Sequence, residues 1–154
     1  IIEDALSNLN DIKTQIPFWI KDVILENAEK IKDILRNNQL NKGLDSSGSI
    51  VGTYWWTTEY IYAKNPDNRP RQPKEKGQPY NFEWSGELFD TMKVVVSPQD
   101  NDFDIYSSTG KDKFVEKKMN ANLMDLTKEN NDFINEKIIE PYIAKKIEER
   151  LFDF

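Results

Sequence analysis

The chain has 154 residues and a formal net charge of −6; 38% of its residues are hydrophobic, 31% charged and 12% aromatic. This suits one folded domain with a modest core, disfavours general nucleic-acid binding through counterion release, and leaves no apolar run near the ~18 residues of a membrane span. Cysteine and histidine are both absent, which excludes disulfides, Ser-His and Cys-His nucleophilic machinery, and zinc sites of ordinary composition.

Ile16, Ile20, Val23, Ala28, Ile31 and Leu35 recur at helical spacing, with charged residues between them. The pattern predicts a helix capped by Thr14, with Pro17 in its first turn and its end near Asn37 and Asn38. Residues before Thr14 are expected to form a short separate arm. Residues 41–52 carry three glycines and turn-forming polar side chains. Residues 53–63 are rich in aromatic and β-branched side chains and read as a strand, with Tyr54, Trp56, Tyr60 and Tyr62 on one face and Trp55 on the other.

Residues 64–79 contain four prolines and no large apolar side chain, so a long loop is expected. Lys64, Arg69, Arg71, Lys74 and Lys76 make it basic within an acidic chain. Ser85 reads as the cap of a short helical turn, followed by strands at 93–97 and 103–107 that form a β-hairpin. Residues 111–119 are a short amphipathic helix. Thr127 caps a long helical segment running to Leu151, in which Pro141 predicts a kink or split near Glu140. The order predicts an α+β domain: an antiparallel sheet of about four strands packed against an N-terminal helix and a kinked C-terminal helix.

Few residue patterns suggest chemistry. Asp100, Asp102 and Asp104 imitate the opening of a calcium loop, but Ile105 and Lys111 stand where Gly and Glu are required. Glu83, Glu87 and Asp90 lie close in sequence; among 27 acidic residues they read as surface charge. Residues 46–49 lack the spacing and lysine of a phosphate loop. No catalytic, metal or cofactor site is assigned. The aromatic stripe reads as core or subunit interface, with Trp55 and Trp56 as interface candidates. Arg69, Arg71, Lys74 and Lys76 are expected to meet an acidic neighbouring subunit.

The segment Ser85-Gly86-Glu87-Leu88-Phe89-Asp90-Thr91-Met92-Lys93-Val94 resembles one recurrent in tail-completion, or neck, proteins of tailed bacteriophages. That family has a small hydroxyl residue, Gly, any residue, Leu, a two-residue spacer, Ser or Thr, an apolar residue and then a strand. The element order is similar too, and Pro141 falls where the family enters its last helix. Ser85, Gly86, Leu88, Phe89, Met92 and Pro141 are the scaffold residues of this resemblance. Residues 41–80 form a larger insertion than the family usually carries. The resemblance implies a non-enzymatic virion protein: a homo-oligomeric ring between portal or adaptor and tail tube, through which DNA passes without specific binding. An acidic lumen would let the genome slide. The alternative is an aromatic-faced carbohydrate- or peptide-binding module.

Overall fold

The computed structural model describes residues 2–55, 58, 60, 63–64, 67, 69–97 and 102–152. Helix α1 (Ile2–Glu26) is followed at once by α2 (Ala28–Asn38) and a 3₁₀ turn at Leu40–Lys42. After the insertion come a single helical turn α3 (Glu87–Asp90), the strands β1 (Met92–Ser97) and β2 (Asp102–Ser107), and α4 (Lys111–Met119). The chain closes with α5 (Lys128–Ile134), a π-helical turn (Asn135–Ile139) and α6 (Glu140–Leu151).

The expected arm before Thr14 is part of α1, which runs through Pro17. Thr14 is no cap: its hydroxyl donates back to the Asn10 carbonyl at 2.9 Å. Helix α6 lies along α1, with Arg150 paired to Asp11 at 3.4 Å, and this packing carries the helix past the one N–H that proline removes. The break comes at Asn27 instead. Its backbone leaves the helical region (φ −108°, ψ 17°) while its side-chain amide donates to the Val23 carbonyl at 2.9 Å, a local bond that competes with the helix.

The hairpin is present at the expected place, in the register Met92↔Ser107, Val94↔Ile105 and Val96↔Phe103. Those residues share the face turned to the helices, while Lys93, Val95, Asp104 and Tyr106 face outward. Its connecting turn lies outside the described residues. The sheet has two strands among the described residues, not about four. Thr53 makes one antiparallel bridge to Pro79, and Thr58, Tyr60, Ala63 and Lys64 are helical, so the strand expected over 53–63 is corrected. Pro79 has no N–H with which to extend a ladder. The aromatic content that suggested a strand reports a preference for burial rather than for pairing.

The core is one cluster. Val23 and Ile24 of α1 and Ile31 and Leu35 of α2 meet Leu40, Met92 and Ile105; Leu88, Leu123, Ile134 and Ile138 close it. At its edge the fully buried Gln39 donates to the carbonyls of Leu123 (3.2 Å) and Asp125 (2.8 Å) and accepts from the Thr127 backbone N–H (2.9 Å). A buried amide with its donors and acceptor engaged ties α2 to the start of α5 without a desolvation penalty. Thr127 caps α5 as expected, accepting from the Asn130 N–H. Near Pro141 the C-terminal segment changes winding: the π-helical turn precedes Glu140, and proline sits in the first turn of α6. Among the described residues, no helix is long and apolar enough to cross a membrane.

Candidate functional site

The insertion folds onto α2 and α3 through a small set of side chains. Its opening turn is built on Asp45, whose carboxylate accepts from Ser47 and Ser49. The Ser47 hydroxyl above all holds that carboxyl below its usual range. The two limbs of the insertion then meet: the Tyr54 N–H donates to the Gln78 carbonyl, the Gly77 N–H to Tyr54, and the Tyr80 N–H to Gly52. Tyr54 and Tyr80 pack edge to face with ring centroids 4.9 Å apart.

Glu83 is the hub. Its side chain is fully buried, and Oε1 accepts from the Arg36 guanidinium of α2, with Nη1 of Arg71 3.8 Å away. Arg71 also makes two parallel bonds to Asp90 of α3, at 2.8 and 2.9 Å. An alternating chain Arg36–Glu83–Arg71–Asp90 thus joins α2, the paired segments around Arg71 and Glu83, and α3. Gly86 is required beside it: its φ is +84°, and a Cβ there would overlap the Arg71 guanidinium. Burial of a carboxylate is tolerable because the charge is paired.

Lys74 is just as deep, at 1% exposure. Its ammonium donates to Asn81 Oδ1 and to the Glu83 carbonyl (3.0 Å) and lies 5.1 Å from the centre of the Tyr54 ring. Burial pushes this amine down to about 8, against the pull of Glu83. Asn81 is held by the Tyr54 hydroxyl, which donates to its Oδ1 (3.0 Å) and accepts from its N–H (3.1 Å). Burial raises that phenol. Between Asn81 and Glu83, Phe82 takes φ +56°, a costly conformation for a bulky residue that the flanking bonds hold in place.

These elements wall a cleft of about 550 Å³, lined by Tyr54, Tyr80, Phe82 and Leu88 on one side and by Phe114 and Lys118 of α4 on the other.

The sequence-derived site residues divide sharply. Lys74 is corrected: it is an internal cation, unable to reach another subunit. Arg71 is engaged within the chain. Arg69 and Lys76 are exposed, with no ion pair among the described residues, and Trp55 is 69% exposed. Trp56 lies outside the described residues. Leu88, Phe89 and Met92 are buried as expected. Ser85 accepts from the Glu87 N–H at 3.3 Å, although Gly86 occupies the cap position itself. Pro141 is exposed. Glu83, read from sequence as surface charge, is the network's centre, and Arg36 and Asn81 were not singled out. The arginine-paired Glu83 and Asp90 do not form the open carboxylate pair of a glycosidase. Among the described residues, no cluster of three or more acidic side chains could hold a metal ion. No family model matches the chain, and neither a curated protein nor a solved structure does.

Proposed function

We propose that this chain is a structural subunit of the neck of a tailed bacteriophage, assembling as a ring between the portal or adaptor and the tail, around the DNA channel. The observation that carries the reading is the Ser85-Gly86-x-Leu88 turn. It is a single helical turn with a left-handed glycine, a buried leucine and an immediate entry into β1 of a hairpin, framed by N-terminal and C-terminal helices. The role is non-enzymatic: the buried Glu83 carboxylate is paired with Arg36 and Arg71 and the buried Lys74 ammonium is bonded to Asn81 and a backbone carbonyl, an arrangement that suits a scaffold rather than a reactive centre. An overall acidic subunit suits a passage that DNA must slide through.

Arg69 and Lys76 are exposed cations of the insertion that fit an acidic neighbour in the ring or in an adjoining ring, and Trp55 is an exposed aromatic that fits a subunit interface. The test is quantitative mass spectrometry of purified particles, with R69E/K76E as the assembly variant. Expected is a fixed multiple of chains per particle, with assembly reduced in the variant while its circular dichroism is unchanged. Absence of the chain from particles overturns the reading. A second reading, a peptide- or carbohydrate-binding module, is favoured by the aromatic cleft; glycan binding by a protein that never enters particles would establish it instead.

A further inference from the structure

Strand β2 pairs with β1 along one edge, and the hydrogen bonds around it show which groups point to the other. Ser108 donates its N–H to the Thr91 carbonyl, so these two residues face each other across the extended ladder. In an antiparallel pair such facing residues alternate with residues whose main-chain groups point outward. Carried along the register, the outward groups of β2 belong to Phe103, Ile105 and Ser107. Two of them are answered within the chain: the Phe103 N–H by the Asp102 carboxylate (2.8 Å), and the Ser107 carbonyl by the Gly110 N–H (3.1 Å). The Phe103 carbonyl and both main-chain groups of Ile105 have no partner among the described residues, although Ile105 is buried. A buried residue left so is uncommon.

This edge borders a groove of about 230 Å³, whose far wall is Met124, Asp125, Leu126 and Asn131. The space is many times the roughly 30 Å³ of one water. Phe103 and Ile105 turn their side chains to the helices, on the side where Met124 and Leu126 join the core. Asp102 and Asp104 stand on the outward face of the sheet and are exposed, as is Asp125. None of the three has an ion pair among the described residues, and no basic residue lines the groove. Lys93 shares the outward face but stands opposite Tyr106 on β1, and Lys128 of α5 is held by Asp132 (2.6 Å). The groove therefore offers a row of strand-type donors and acceptors with an apolar inner side and an acidic outer side.

We infer that the free edge of β2 receives an extended segment of a partner protein in which basic and apolar residues alternate. The segment adds antiparallel, the pairing that is the more stable per residue. One apolar residue lies opposite Ile105 and exchanges two hydrogen bonds with it. The next lies opposite Phe103 and donates to its carbonyl. The residues between and beside them project from the outward face, where their cations meet Asp104 and Asp102. This is strand addition, with affinity from the main chain and selectivity from alternate side chains. The other strand among the described residues, β1, carries one lysine followed by three valines, so a second copy lacks the pattern. The surface is separate from the insertion, and the inference does not rest on the neck reading.

The test uses the ¹⁵N-labelled full chain and the peptide acetyl-Lys-Val-Lys-Val-Lys-amide, followed through amide chemical shifts. Expected are saturable shifts centred on Ile105, with binding about fivefold weaker in D102N/D104N and weaker again at high salt. Both substitutions are at exposed positions, and asparagine keeps an acceptor for the Phe103 N–H; circular dichroism checks the fold. The main-chain requirement is read on the unaltered chain. N-methylation of both valines, whose N–H groups face β2, should abolish binding. N-methylation of the central lysine, whose N–H faces away, should preserve it. A Glu-Val-Glu-Val-Glu peptide should not bind. Absence of shifts at Ile105 with millimolar peptide, shifts centred on α4 or the insertion, equal binding of the glutamate peptide, or equal binding of the two N-methylated forms would each overturn the inference. Ile105 shifts that follow the concentration of the chain alone would make a second copy the occupant and overturn the choice of partner. Presence of the chain in phage particles, or its absence, changes none of these results.

Discussion

Arg71 holds Asp90 through two parallel hydrogen bonds, and its guanidinium lies against the one residue between them in the network that has no side chain, Gly86. The pair depresses the Asp90 carboxyl below its usual range, chiefly through the hydrogen bonds from Arg71. The glycine of the Ser-Gly-x-Leu turn therefore serves two needs: a left-handed backbone and clearance for an arginine.

G86A is expected to destabilise the chain by about 1–3 kcal/mol in urea unfolding, from left-handed strain together with the clash. In an R71A background the clash is gone, and the cost of G86A should shrink. An equal cost in both backgrounds would show that Arg71 is not the obstacle.

Glu83→Ala leaves the Arg36 guanidinium without its buried carboxylate and removes the negative charge near Arg71 and Lys74, and should cost about 3–5 kcal/mol. Glu83→Gln keeps an acceptor for Arg36 and should cost less. Thermal melts of the two variants beside wild type check the order; a harmless alanine would remove Glu83 from the centre of the network.

Lys74 gives a pH signature. Its folded pKa is about 8, below the ordinary 10.5. Below pH 8 the amine is charged in both states, and the full penalty for burying that charge is present. Between pH 8 and 10.5 the folded chain gives up the proton first, so the unfolded state binds more protons and stability rises with pH from this group. The expected result is that wild type gains on K74M between pH 8 and 10 in urea unfolding. A constant difference would place Lys74 in water.

Leu88→Ala, at a side chain 3% exposed, should cost about 2–5 kcal/mol. Leu9→Ala, at a side chain of α1 that is 54% exposed, should stay within about 0.5 kcal/mol. Equal losses would mean that Leu9 is already covered in the isolated chain.

What could be read from the sequence was local. Leu88, Phe89 and Met92 follow a turn signal and lead into a run of valines, so their inward direction follows from spacing alone. Thr127 announces its cap, and the hairpin its alternation. The hub needed distance. Glu83 is buried because Arg36, 47 residues earlier, reaches it, and no window around Glu83 contains that fact. Lys74 reads as a solvated cation among prolines; Tyr54 and Asn81 make it an internal one. Pro17 signals a helix start, and only packing from the far end of the chain lets α1 run through it. The strand expected at 53–63 failed because aromatic side chains can be buried without a ladder.

Gln39 carries one more consequence, for how the chain comes to be folded. Its amide is answered by groups 84 to 91 residues further along. A polypeptide emerging from the ribosome presents α1 and α2 long before those groups exist, so its N-terminal helices must wait with their apolar faces unfinished. Closure of the core is a late, high-contact-order event, slower than in a bundle of sequence-neighbouring helices and exposed to misassociation while it is pending. A nascent chain stopped before Leu123 should remain a protease-sensitive precursor, and the last third of the sequence is what locks the first.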